Sequence, residues 1–129
     1  MTWEQEIVTK LGENGIREMA AAFYRRIAED DLLGPMYPTE HLSQAETRLA
    51  DFLCFRLAGD PGYLEKRGHP RLRMRHSPYK IGIAERDRWM CLMTGAMDEV
   101  GLDGKEREAL EAFFAQSADF MRNQPETEF

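Results

Sequence analysis

Three histidines, His41, His69 and His76, are among the scarcest side chains in this chain able to bind a metal or carry a proton. His76 has the most distinctive setting. It lies in the run His69-Pro70-Arg71-Leu72-Arg73-Met74-Arg75-His76-Ser77-Pro78-Tyr79, where Pro70 suits the first position of a short helix and Pro78 must end it. Leu72 stands one turn earlier, so its carbonyl could accept the second ring N–H and fix the imidazole tautomer. No second ligand sits three or four residues away, which excludes zinc chemistry of the HExxH kind. A single imidazole suffices only where a porphyrin supplies the other four nitrogens. On spacing alone, a surface or partly buried histidine is the commoner outcome. Cys54 and Cys91 form no CxxC pair, no zinc spacing and no CxxCH haem-attachment signal. They are expected to pack as small hydrophobes in a reduced, cytoplasmic compartment.

The elements that position these residues are helical. The 129 residues suit one domain spanning 1–129. Composition, 43% hydrophobic and 31% charged, is that of a globular chain. No apolar run reaches the ~20 residues of a membrane span, and no signal peptide is evident. Thr2 with Gln5 predicts a capping box for a short opening helix ending near Gly12. Ile16, Met19, Ala20, Phe23 and Ile27 predict an amphipathic helix over about 15–28. A tight corner follows from Asp30 to Pro38. Ser43 with Glu46 predicts a second capping box, for a helix with Ala45, Leu49, Phe52 and Leu53 inward and Gly59 as its stop. From Gly59 a loop of about ten residues is expected. Trp89, Leu92, Met93, Ala96, Met97 and Val100 form the longest apolar stripe, ended by Gly101. Asp103 with Glu106 can cap a last helix whose inner face is Leu110, Phe113, Phe114, Ser117 and Met121, before a frayed tail over 123–129. Ile81-Gly82-Ile83 alternates like a strand without a partner. The fold class is all-α.

Charge is unevenly distributed. Between Glu65 and Arg88 there are eight basic and three acidic side chains, a local +5 in a chain of net −6. The acidic remainder argues against non-specific nucleic-acid binding. A small dianion, an acidic partner, or plain solvation would each suit the basic segment.

Taken together these residues resemble the group II truncated haemoglobins. The resemblance runs from about Gly15 to about Val100. It is carried by Phe23-Tyr24, Ala28-Glu29-Asp30, Met36-Tyr37-Pro38, Ala45-Glu46-Thr47-Arg48-Leu49, the run from Gly68 through His76 to Ile81, and Arg86-Asp87-Arg88-Trp89-Met90. It implies a truncated-globin fold, a two-over-two helical sandwich around a non-covalent haem b, with His76 as the proximal iron ligand. Tyr24, Tyr37 and Trp89 match the family's distal polar positions, with Ala45 first on the ligand side and Leu49 a turn further on. Arg48 matches a propionate partner; Tyr63, His69 and Arg73 are further propionate candidates. Phe52, Leu53, Leu72, Tyr79 and Ile81 would line the apolar pocket. Where the family has Gly-Gly pairs, this chain has Gly12-Glu13-Asn14-Gly15 and Ala58-Gly59-Asp60-Pro61.

Two phenol O–H groups and an indole N–H are fixed donors for a diatomic ligand whose outer atom gains negative charge. Binding dioxygen and other diatomics at a five-coordinate-type iron is the function this implies, by slow release rather than delivery. The alternatives are a haem enzyme that removes NO or peroxide with electrons from an external reductase, and a haem-free helical adaptor that uses the basic segment.

Overall fold

Thr2 opens the first helix as expected from its type. Its hydroxyl accepts the Gln5 N–H at 3.1 Å and the Gln5 side chain accepts the Thr2 N–H at 2.9 Å. Helix α1 (Trp3–Glu29) is two helical segments joined at Gly12, whose φ of 67° and ψ of 173° belong to a region that only glycine enters readily. A Cβ at Gly12 would meet nothing within 4 Å, so the constraint is conformational. Gly12→Ala is therefore expected to cost about 2 kcal/mol, read as a lower urea midpoint at unchanged m.

The computed structural model describes residues 1–76 and 79–124, apart from the Arg73 side chain. The expected helix stop at Pro78 and the tail beyond Gln124 lie outside the described residues.

Asp30 ends α1 and builds the corner. Its carboxylate accepts the N–H groups of Leu32 (3.0 Å) and Leu33 (2.8 Å) and pairs with Arg88 at 2.5 Å. Two 3-10 turns, Gly34–Met36 and Thr39–His41, carry the chain into α2 (Leu42–Ala58). The Ser43 capping box does not form. The second turn feeds helical backbone directly into Leu42, so Ser43 is already inside the helix and its carbonyl accepts the Thr47 hydroxyl at 3.0 Å. The loop expected after Gly59 instead holds α3 (Gly62–Arg67), with Asp60 accepting the Gly62 N–H at 2.8 Å.

Helix α4 (Leu72–His76) starts two residues after Pro70, because Arg71 takes a φ of 46°. The Ile81-Gly82-Ile83 stretch is not a strand; it links α4 to α5 (Ile83–Glu99), and no strand occurs among the described residues. Asp103 precedes α6 (Gly104–Phe120) at the expected place without a side-chain cap; its carboxylate lies 3.5 Å from Lys10, which also pairs with the buried Glu106.

Helix α1 packs on α2, α5 and α6, and α5 packs on α6. The core between them contains Ile16, Met19, Phe23, Ile27, Leu53, Met93, Met97 and Leu110. Cys54 belongs to it, and burial pushes its thiol up to about 11, leaving it protonated and inert. Cys91 departs from expectation and is exposed. No helix among the described residues is long and apolar enough to cross a membrane.

Candidate functional site

The short helix α4 presents its histidine in a defined state. His76 Nδ1 lies 2.7 Å from the Leu72 carbonyl. A carbonyl only accepts, so Nδ1 carries a proton, and in the neutral ring the lone pair is on Nε2. His76 stands on the wall of a cavity of about 420 Å³, a volume in the range of cofactor pockets.

The same cavity gathers residues from four other parts of the chain. Tyr24 comes from α1, Tyr37 from the corner, Ala45, Arg48, Leu49 and Phe52 from α2, and Trp89 from α5. Tyr63, Leu72, Tyr79 and Ile81 of the expected set also line it. The Tyr24 and Tyr37 rings meet edge to face at 5.5 Å. Burial, then the neighbouring Tyr37 phenol, pushes Tyr24 well above the usual tyrosine range, and burial raises Tyr37 although Tyr24 opposes it. Both phenols are thus neutral donors at every physiological pH. Trp89 packs on Phe23 (5.0 Å) and Phe114 (5.4 Å).

Two expected residues fall elsewhere. Leu53 is fully buried in the core among the helices, because it sits one step, about 100°, around α2 from Phe52. His69 is exposed and off the cavity wall; its Nδ1 accepts the Arg71 N–H at 3.3 Å. The Arg73 side chain lies outside the described residues.

Other residues join the wall. Leu33, Met36 and Pro38 come from the corner, His41 from the start of α2, and Glu85, Arg86, Ala118 and Met121 from the far end. Arg75 and Arg48 are exposed yet line the cavity, so they stand at its mouth. The spacing of Arg75 in the basic run was its only sequence signal. Within that run half of the eight cations are paired with carboxylates: Lys66 and Arg67 with Asp51, Arg86 with Asp87 and Asp119, and Arg88 with Asp30 and Asp31. Arg71 and Lys80 have no carboxylate partner among the described residues. The +5 segment is not a continuous basic face.

Comparison with known proteins now bears on this geometry. The family described as bacterial-like globin matches residues 8–123. A curated group 2 truncated hemoglobin of Bacillus subtilis is 39% identical over 118 residues, covering 92% of this chain and 89% of that protein. The chain belongs to the group II truncated haemoglobins. Among solved structures, a thermostable hemoglobin from Thermobifida fusca superposes with a TM-score of 0.88 at 43% identity, covering 98% of this chain and 100% of that one. A truncated oxygen-avid haemoglobin from Bacillus subtilis gives a TM-score of 0.84 at 37% identity, covering 90% and 98%.

Membership of this truncated-globin family makes the helical pairs above a two-over-two globin sandwich and implies a haem of b type, held non-covalently. The residues present suit it. His76 offers a single imidazole nitrogen; Leu33, Leu49, Phe52, Leu72 and Ile81 offer an apolar bed; Arg48 and Arg75 offer cations at the mouth for two carboxylates. No group of three His, Cys, Asp or Glu side chains converges among the described residues, so the protein alone builds no metal cage there. A globin of this family binds diatomic ligands.

Proposed function

We propose that this truncated haemoglobin binds dioxygen and related diatomics with His76 as the axial ligand, the opposite iron position open, and Tyr24, Tyr37 and Trp89 as hydrogen-bond donors to the ligand. Haem iron supplies reversible coordination of a diatomic molecule; the chain supplies the rest. The observation that carries the reading is the convergence on one cavity of an imidazole with a fixed tautomer and of two phenols held neutral.

Ala45 and Leu49 have no atom that coordinates iron, and neutral phenols are poor ligands, so these neighbours leave the second axial position free. The small Ala45 side chain leaves room beside α2 for a diatomic molecule to enter. His41 is the other imidazole on the cavity wall, and it is exposed at the start of α2. A bis-histidine spectrum in the wild type that His41→Ala abolishes would overturn the open position.

Each donor bond in a water-poor pocket is worth about 1 kcal/mol, or about fivefold in release rate. Tyr24→Phe and Trp89→Phe are therefore each expected to speed oxygen release about fivefold by stopped flow. Rates within twofold of wild type in both variants would contradict the donor assignment. Because burial raises both phenols, wild-type release is expected to show no tyrosine titration up to about pH 10.

A further inference from the structure

Asn123 and Gln124, the first two residues of the tail expected to fray, are hydrogen-bonded to the rest of the chain. Asn123 is half-buried and makes a dense set of contacts to the segment that follows His76. Its backbone N–H donates to the Ile81 carbonyl at 2.8 Å, and its Oδ1 accepts the Ile81 N–H at 2.9 Å. Its Nδ2 donates to the Tyr79 carbonyl at 2.6 Å and reaches the His76 carbonyl at 3.4 Å. The amide orientation is forced, since carbonyls can only accept and the Ile81 N–H can only donate. Gln124 adds a backbone contact to Ile81 at 3.3 Å and closes on Oδ1 at 3.2 Å.

His76 is the last residue of α4, where helix carbonyls are left without intrahelical partners. Its ring is held by Leu72 from within the helix, and its own carbonyl accepts the Tyr79 N–H at 3.0 Å. Arg75 ties α4 to α3 through the Arg67 carbonyl at 3.0 Å, and the Tyr79 ring lies 6.4 Å from the imidazole, so the segment that Asn123 holds also bears on the ring. Tyr79 and Ile81, the two other residues Asn123 holds, line the same cavity, as does Met121 just before it.

We propose that Asn123 is a positioning residue for the axial imidazole: a latch from the end of α6 that holds the backbone of His76, Tyr79 and Ile81 and so the orientation of His76 toward the haem. The inference rests on His76 being the axial ligand. Asp at this position would keep the acceptor toward Ile81 but replace the donor toward Tyr79 with a second oxygen facing a carbonyl.

The test compares full-length holoprotein as wild type, Asn123→Ala and Asn123→Asp. Three readouts are used: the iron–histidine stretching band of the ferrous form, haem transfer to excess apomyoglobin, and hydrogen exchange at the Ile81 amide. Both variants are expected to shift the stretching band and to release haem about tenfold faster, the value of one or two lost bonds. Only Asn123→Ala is expected to expose the Ile81 amide. An unchanged band and unchanged release in Asn123→Ala overturn the positioning role. So does wild-type behaviour of Asn123→Asp, because the donor half would then do nothing. A wild-type band that is also unaltered by His76→Ala overturns the axial assignment itself, which separates the two failures.

Discussion

His76→Gly protein mixed with haem is expected to lose the imidazole-ligated absorption spectrum, and added imidazole is expected to restore it. The glycine removes the nitrogen donor and leaves a space of imidazole size on the cavity wall beside Leu72. Altering a partner of a metal ligand commonly costs 10–100-fold in affinity, so removal of the ligand should cost more than about a hundredfold. The rescued spectrum should resemble wild type without equalling it, since free imidazole can still donate to the Leu72 carbonyl but lacks the covalent tether to α4 that fixes its angle. A haem spectrum indifferent to both the substitution and the added base would remove His76 from the site. The Leu33, Phe52 and Ile81 bed is untouched by the change, so haem can still dock weakly and report through its colour.

The Leu72 contact shows what kind of structure a sequence reveals. A residue four positions earlier on a helix presents its carbonyl by local geometry alone, and the spacing within α4 was enough to expect it. The same holds for Thr2 with Gln5. Ser43 with Glu46 has the same pattern and no cap, because the preceding Thr39–His41 turn extends helical backbone to Leu42 and leaves Ser43 no terminus to cap. Leu53 and Phe52 are both inward on α2, but inward means two directions, core and cavity, and an apolar stripe does not separate them. Asn123 was illegible for a different reason: its partners lie more than forty positions away, brought together only when α6 has packed. The basic segment misled through its sum. Carboxylates at Asp30, Asp51 and Asp119, distant in sequence, pair with part of what the local count left positive.

Asp51→Ala is expected to be the most destabilising single substitution of a charged side chain outside the haem site, by about 3 kcal/mol. Only 6% of Asp51 is exposed, and three cations converge on it: Arg17 of α1 at 2.9 Å, Arg67 of α3 at 2.9 Å and Lys66 of α3 at 3.6 Å. One carboxylate therefore ties three helices. The effect extends toward the cavity, since the Arg67 carbonyl accepts a hydrogen bond from Arg75 at 3.0 Å, and Arg75 stands at the mouth. The figure is at the low end for a broken buried pair because Arg17 and Lys66 are substantially exposed and screened by solvent. Burial alone would raise the Asp51 pKa; hydrogen bonds from Arg67 and Arg17, with Lys66 nearby, reverse that and hold it below the ordinary carboxylate value. A depressed folded-state value means the contribution is complete above the unfolded value of about 3.9 and disappears as pH falls through the folded one. Urea unfolding of wild type and Asp51→Asn should accordingly diverge at pH 7 and converge toward pH 2. Asparagine preserves volume and one acceptor oxygen, so the part of the gap that closes on acidification measures the charge, while a gap unchanged at pH 2 would assign the loss to packing. The gap at pH 7 should shrink only modestly in molar salt, because the carboxylate end of each pair is shielded from counterions even where the cation is not.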